Sequence, residues 1–171
     1  NHQDLSGRNL TGYCFITDAA VANNAACTPG QASSDPSDPG DWISPAESNN
    51  CPSGPFCGLP AYYSSWHGTH VSGIIGAISN NGIGVAGANW GSKLLPIRVL
   101  GKGGGYDSDI INGMEWAAGI AVPGYPANPT PAKVLNMSLG GEGSCDATWQ
   151  SAINAVTAAG AVVVAAAGNS N

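Results

Sequence analysis

From residue 93 onward, short apolar strands alternate with amphipathic helices, and this alternation constrains the fold more than any other feature. We expect strands at 93–100, 133–139 and 161–167, with a helix after Asp107 and another at 146–159. Such an order predicts an α/β fold, a parallel sheet with helices on both faces. In sheets of this kind, reactive groups gather at the carboxyl ends of the strands, here near Leu100, Leu139 and Gly168.

The first 64 residues have a different texture. Pro- and Gly-containing turns interrupt them every few residues, and only residues 10–17 are typical of a strand. A long loop region inside a compact domain usually signals function, bridging or bound ions. Four of the five cysteines lie here, which favours local disulfides and a secreted protein; the five are Cys14, Cys27, Cys51, Cys57 and Cys145. Cys145 is left to pair outside the chain or to remain a free buried thiol.

Charge and hydropathy exclude two partner classes. The formal net charge is −6, and the five Lys and Arg residues are scattered, so nucleic acid is not expected as a partner. Apolar runs such as 161–167 are far shorter than the roughly 20 residues that span a bilayer, so no membrane partner is expected. The sequence starts without an initiating Met or a leader segment. We therefore expect the true start to lie upstream.

A histidine stands at the opening of a predicted helix over 66–79. His67 can exchange protons near neutral pH, which suits a general base that takes a proton from a serine hydroxyl. His70 follows three residues later and is assigned a structural role. A zinc pair formed by the two histidines is disfavoured, because the spacing and glutamate of the His-Glu-x-x-His helix are missing.

Small residues and an amide follow the ends of the predicted strands. Asn169 follows strand 161–167, and its side-chain amide can donate to an oxygen that becomes negative during acyl transfer. Two backbone segments of low bulk can accept an extended substrate as an added strand; they are Gly103, Gly104 and Gly105, and Ser138, Leu139, Gly140 and Gly141. Ordinary βα turns remain an alternative for both. The glycine run lacks the order of a nucleotide-binding motif.

Three stretches together resemble the subtilisin-like serine proteases, or subtilases. They are His-Gly-Thr-His-Val-Ser-Gly at 67–73, Leu-Asn-Met-Ser-Leu-Gly-Gly at 135–141 and Ala-Ala-Ala-Gly-Asn at 165–169. The resemblance implies a three-layer α/β/α fold and a secreted endopeptidase with an Asp-His-Ser triad and a polypeptide substrate. It makes His67 the catalytic base and Asn169 the oxyanion donor, with the two Gly segments flanking the substrate. Residues 13–60 and 122–132 resemble larger extracellular proteases of Gram-negative bacteria.

Two words of the family pattern are missing. Neither Gly-Thr-Ser-Met-Ala, which carries the nucleophile, nor the Asp-Ser/Thr-Gly word of the orienting aspartate occurs in the 171 residues. We therefore expect residues 1–171 to be a central part of one subtilisin-like catalytic domain that is inactive alone. The remaining part of the same protease, in the same chain or in a second one, is the expected partner. Since Ser170 adds no charge beside Asn169, a preference for large apolar side chains at the cut site is favoured.

The resemblance also implies a structural calcium ion. Its ligands are the Asp4 carboxylate, the Asn81 side chain and the carbonyls of Ser79, Ile83 and Val85. The spacing of Asp35, Asp38 and Asp41 allows a second calcium ion. A plain Asn-Gly turn and a solvated acidic loop are the alternatives for the two sites.

Two other functions remain open. A non-catalytic relative that only binds extended peptides would carry a replaced nucleophilic serine in the parent reading frame. A metal- or nucleotide-dependent α/β enzyme would contain zinc rather than calcium.

Overall fold

The computed structural model describes residues 2–23, 27, 33–51, 53–141, 143–144 and 146–169. Within these described residues, a short 3₁₀ helix (Gln3–Leu5) is followed in chain order by five α-helices and four strands. They are β1 (Tyr13–Cys14), α1 (Ala19–Ala22), α2 (Pro45–Asn49), α3 (His67–Gly76), β2 (Ile97–Arg98), α4 (Asp107–Ala117), β3 (Val134–Met137), α5 (Ala147–Ala158) and β4 (Val162–Ala165). The β2-α4-β3-α5-β4 order is the one that the sequence predicts.

The strands form two parallel pairs. In the first, Tyr13 of β1 lies opposite Ile97 of β2, and an isolated parallel bridge joins Asn9 to Leu94. In the second, β3 and β4 are in register from Val134 and Val162 to Met137 and Ala165. The carboxyl ends of β3 and β4 therefore meet at one edge, directly before the Gly-containing segments.

Helices α4 and α5 cover one face of the β3–β4 pair. The buried core between these helices and strands is formed by side chains of α4, α5 and β3 and of neighbouring residues. Its members are Met114, Ala117, Ala118, Leu135, Ala152, Val156 and Ala161. The opposite face is apolar but bare, because Val134 is 61% exposed and Val162 is 59% exposed. The predicted two-sided apolar character of these strands is thus present, and the described residues cover one side of it.

A second core joins α4 to the strand β1. Trp116 is 1% exposed, and its ring lies 4.9 Å from Tyr13 and 5.8 Å from Phe15, centroid to centroid. The indole N–H donates to the carbonyl of Pro126 at 2.6 Å, so the polar end of the buried ring is satisfied.

Two disulfides link cysteines of the loop-rich segment, as the sequence predicts. Cys14 bonds to Cys27 and Cys51 bonds to Cys57, whereas Cys145 lies outside the described residues. Cys14 and Cys27 are buried with Ile16, Val21, Ala22, Ile43 and Phe56 in a separate apolar cluster. The first bridge therefore lies inside a small core.

The prediction of mostly loop in this segment is incomplete, because it contains α1 and α2. Asp18 caps α1 by accepting from the N–H groups of Ala20 and Val21. Ser44 and Glu47 form a capping box around α2, with Pro45 in its first turn. Within the described residues, no helix is both long and apolar enough to cross a membrane.

Candidate functional site

His67 is the first residue of α3, and it is exposed. The residue before it, Trp66, has a left-handed backbone with φ 49° and ψ 29°, and it supplies no side-chain cap to the helix. The hydroxyl of Ser65 accepts the N–H of His67 at 3.3 Å instead. The predicted base therefore stands in the open at a helix start that a neighbouring serine stabilises.

Ser65 is bound in turn to Asp41. Its N–H donates to Asp41 Oδ1 and its hydroxyl donates to Asp41 Oδ2, both at 2.7 Å. Neither Ser65 nor this contact was predicted from the sequence. A serine two residues before a helical histidine is a weak signal, and the partner lies 24 positions away.

Asn169 follows β4 and is exposed. The ladder between β3 and β4 extends past the strands, since the N–H of Ala166 donates to the carbonyl of Met137 at 3.1 Å. This bond brings the backbone leading to Asn169 alongside the one leading to Ser138. The amide of Asn136 donates to the Ser138 hydroxyl at 2.9 Å. Gly140 and Gly141 are exposed, and a Cβ built on either would meet open space.

The other Gly-containing segment, Gly103–Gly105, follows β2 as a tight turn. Gly101 and Gly104 exchange two backbone hydrogen bonds, of 2.8 and 3.2 Å. The N–H of Gly103 donates to the hydroxyl of Tyr62 at 3.3 Å. Gly103 and Gly105 are exposed. The segment is therefore anchored from the loop-rich region while its other edge stays open.

Lys102 anchors the base of that turn, and it too was missed by sequence reasoning. It is 4% exposed, and its ammonium donates to Glu47 Oε1 at 2.6 Å and lies 4.6 Å from the centroid of the Trp42 ring. Hydrogen bonds from Lys102 and Ser44 lower the pKa of the Glu47 carboxyl to about 2. A lone lysine in a glycine run gives no sequence signal of such a partner.

The Asp4 carboxylate and the loop at 78–85 come together as the sequence predicts. Asp4 is 2% exposed; its Oδ1 accepts the Asn81 amide at 2.7 Å and its Oδ2 accepts the Val85 N–H at 2.8 Å. The hydrogen bond from the Val85 N–H, and to a smaller extent that from the Asn81 amide, lower the pKa of the Asp4 carboxyl. A Cβ at Gly84 would collide with Asp4 Oδ2, so only glycine permits this approach.

An open depression lies over the same loop. Its volume is about 320 Å³, and it is lined by Ile78 and by residues 80–86. None of these lining residues has a charged side chain. The Ser79 hydroxyl is buried, with no hydrogen-bond partner among the described residues. Carboxylate oxygens, side-chain amide oxygens and backbone carbonyls are the protein ligands that Ca²⁺ takes, so the residue types present here fit that ion.

The three aspartates proposed for a second ion have separate partners. Asp35 accepts the Ser37 N–H at 2.9 Å; Asp38 accepts the Gly40 N–H and lies 3.5 Å from Arg98 Nη2; Asp41 holds Ser65. In the described parts of the chain, no group of three or more His, Cys, Asp or Glu side chains is arranged to hold a metal. The second calcium site stays a prediction without support from this arrangement.

The chain matches a known protein family and is similar in sequence to extracellular bacterial proteases. The model described as the subtilase family matches residues 2–171. The extracellular basic protease of Dichelobacter nodosus is 47% identical over 171 residues, and the extracellular protease of Xanthomonas campestris pv. campestris is 48% identical over 169. These matches cover 100% and 99% of this chain, and the chain spans 27% of the length of each relative.

A solved structure is similar as well. The structure titled as proteases from Pseudoalteromonas arctica PAMC 21717 superimposes with a TM-score of 0.87 at 49% sequence identity. The match covers 98% of this chain and 46% of that one. It confirms the predicted fold class.

Proposed function

Because this chain belongs to the subtilase family, we propose that it carries the catalytic base and an oxyanion donor of a secreted serine endopeptidase. The observation that carries the proposal is the exposed His67 at the start of α3, within a family match that covers residues 2–171. The extracellular proteases of two bacteria, nearly half identical to it, support the same activity.

His67 takes the proton of a serine hydroxyl as that oxygen attacks the substrate carbonyl, and later returns it to the leaving amine. The amide of Asn169 donates to the carbonyl oxygen as it becomes negative; a subtilisin asparagine is the reference case for such a donor, where its loss costs about 3–4 kcal/mol of transition-state stabilisation. The 171 residues contain neither family word for the nucleophile nor that for the orienting aspartate. We propose that other segments of a longer polypeptide supply both, since the chain spans 27% of the length of the two extracellular relatives.

The proposed substrate is an extended polypeptide. Within the segments 103–105 and 138–141, a Cβ built on Gly104, Gly140 or Gly141 would meet open space, and exposed backbone of this kind suits pairing with a substrate strand. The empty space at Gly140 and Gly141 leaves room for a large side chain next to the cut. The preference for large apolar side chains stays a proposal, and Ser170 lies outside the described residues.

We propose that calcium binds at Asp4, with Asn81 and the carbonyls of Ser79, Ile83 and Val85. The buried Asp4 carboxylate, hydrogen-bonded to Asn81 and Val85, supports this assignment. A bound ion would tie the 3₁₀ helix to the loop after α3, and binding to the folded state alone would stabilise it. Calcium removal is expected to lower the melting temperature of the complete polypeptide, and Asp4→Asn to abolish that dependence. Unchanged melting would refute the site.

Secretion is supported by chemistry as well as by the relatives. The bridges Cys14–Cys27 and Cys51–Cys57 persist only in an oxidising compartment. Both relatives named above are described as extracellular.

The decisive experiment compares His67→Ala with His70→Ala in the complete polypeptide, using a chromogenic peptide amide. We expect wild type to turn over and to lose activity to a serine-directed sulfonyl fluoride. His67→Ala is expected to lower kcat by at least about 100-fold, the contribution of a general base. His70→Ala, a matched change on the same exposed helix, is expected to remain close to wild type.

Three results would count against the proposal: no hydrolysis by wild type, hydrolysis insensitive to the serine reagent, or equal activity of the His67→Ala variant. The 171-residue chain assayed alone is expected to show no turnover. If it did hydrolyse the amide with sensitivity to the serine reagent, the nucleophile would have to lie within these residues.

A further inference from the structure

The strained backbone at Trp66 stands directly before the proposed base. A bulky side chain with φ near +49° costs roughly 1–2 kcal/mol relative to the right-handed region. Such strain persists when surrounding contacts determine the conformation, and it is often stored at functional sites. Something in the fold must therefore hold residues 65–67 in place.

Ser65 and Asp41 are the contacts that do so. The two Asp41 oxygens receive the N–H and the hydroxyl of Ser65, each at 2.7 Å. Hydrogen bonds to a carboxylate are shorter and about twice as strong as neutral ones. The same Ser65 hydroxyl accepts the His67 N–H at 3.3 Å. Two hydrogen-bonded steps thus connect a charged side chain to the backbone of the proposed base.

The backbone around Asp41 is itself held in place by neighbouring residues. Ile43, 1% exposed, exchanges backbone hydrogen bonds of 3.0 and 3.1 Å with Tyr62 in an antiparallel bridge. At Gly40, with φ 112°, a Cβ would collide with the Ser64 hydroxyl and touch the Trp42 ring. The segments 40–43 and 62–65 therefore run side by side, and the Asp41–Ser65 pair forms the end nearest to His67.

We propose that Asp41 and Ser65 are positioning residues that fix the direction in which the His67 imidazole leaves α3. The inference rests on the proposed function and assigns these residues no contact with the reacting atoms. A general base must lie about 2.6–3.2 Å from the proton that it removes. A misplacement of 1 Å can cost about 100-fold in rate. Loss of the Asp41–Ser65 contact should therefore act on kcat.

The test uses the complete polypeptide and the peptide amide described above. Ser65→Ala removes the shared hydroxyl, and Ser65→Thr restores a hydroxyl at the same position. Asp41→Ala removes both acceptors. Ser48→Ala is the matched control for Ser65→Ala, because Ser48 lies in the same loop-rich region and its hydroxyl donates to the Leu59 carbonyl at 2.6 Å rather than to a residue next to His67.

For Ser65→Ala and Asp41→Ala we expect kcat to fall about 10- to 100-fold. KM should stay within about twofold, because substrate binding does not depend on the proton transfer. Ser65→Thr should keep most of the wild-type kcat. The double variant should be no slower than the slower single variant, because both changes break one chain of contacts. Ser48→Ala should match wild type.

The inference is overturned if Ser65→Ala keeps the wild-type kcat while His67→Ala loses activity; the proposed function then survives alone. It is also overturned if Asp41→Ala is slow, Ser65→Ala is normal and added calcium restores the former, since Asp41 would then be a metal ligand. A rise of KM in proportion to the loss of kcat/KM would assign the pair to substrate binding. Absence of hydrolysis by wild type would remove both proposals together.

Discussion

The two parts of this molecule that lead to the proposed catalytic groups are held together by different physics. Residues 2–66, here the cross-linked segment, depend on two disulfides and on side-chain contacts such as Lys102–Glu47 and Asp41–Ser65. Residues 107–165, here the helix–sheet half, depend on apolar packing around Leu135 and Val156. His67 follows the first part and Asn169 follows the second.

Because the two regions are stabilised differently, mutations in them should have different effects. In the helix–sheet half, many van der Waals contacts each contribute a small part of the unfolding free energy. Removing one methylene group therefore lowers stability but leaves the backbone conformation unchanged. In the cross-linked segment, a single polar contact fixes the path of the chain over several residues. We therefore expect core variants to change stability, and polar variants near His67 to change catalysis.

The largest effect is expected from Trp116→Ala in α4 of the helix–sheet half, at the core that joins this half to β1. Trp116 is 1% exposed and packs between Tyr13 and Phe15, so its removal should cost about 3–5 kcal/mol of unfolding free energy. Trp42→Ala is the matched change in the cross-linked segment; Trp42 is 39% exposed and should cost less than about 1.5 kcal/mol. Urea unfolding in an inactive His67→Ala background would measure both. Equal losses would erase the comparison.

An intermediate effect is expected from opening the Cys14–Cys27 bridge by double substitution with serine. The two cysteines are 13 residues apart, which predicts a loss of about 3 kcal/mol through loop entropy. The Cys51–Cys57 bridge, with a separation of 6, should cost about 2 kcal/mol when opened in the same way. If opening either bridge left the unfolding midpoint unchanged, covalent bonds would not be what holds this segment.

The smallest effect is a pH dependence set by Glu47. Its pKa is about 2 in the folded protein against an ordinary value of 4.5, because the Lys102 ammonium and Ser44 bind the carboxylate. A lowered folded pKa gives stability that is complete above pH 4.5 and is lost as the pH falls toward 2. Between pH 4.5 and pH 2, the melting temperature of the wild type should therefore fall more steeply with decreasing pH than that of Glu47→Gln. Parallel curves would mean that the pair contributes nothing.

Much of the fold could be predicted because the signals were local. The strands β2–β4 and the helices α3 and α5 lie inside the expected ranges, and α4 begins at Asp107, one residue before its expected start. These elements were predictable because apolar runs and helical spacing are properties of neighbouring residues. The helices α1 and α2 were missed although Asp18 and the Ser44–Glu47 pair are cap signals. At four and five residues they are too short to show a helical period, so their turn-like composition dominated the prediction.

The candidate site divides in the same way. The family motifs predict roles for His67, Asn169 and the loop at 78–85, because these residues stand in short contiguous stretches. Asp41 and Ser65 are 24 positions apart, and Glu47 and Lys102 are 55 apart. The first pair meets through the bridge between Ile43 and Tyr62, a long-range pairing that no local pattern encodes.

The most direct test of the central claim is a crystal structure of the complete polypeptide with a peptide boronic acid bound to its serine nucleophile. We expect the His67 imidazole and the Asn169 amide both to lie about 2.6–3.2 Å from oxygens of the same boronate adduct. A structure in which either side chain points away from the adduct, or in which a different histidine or donor occupies its place, would contradict the proposed roles.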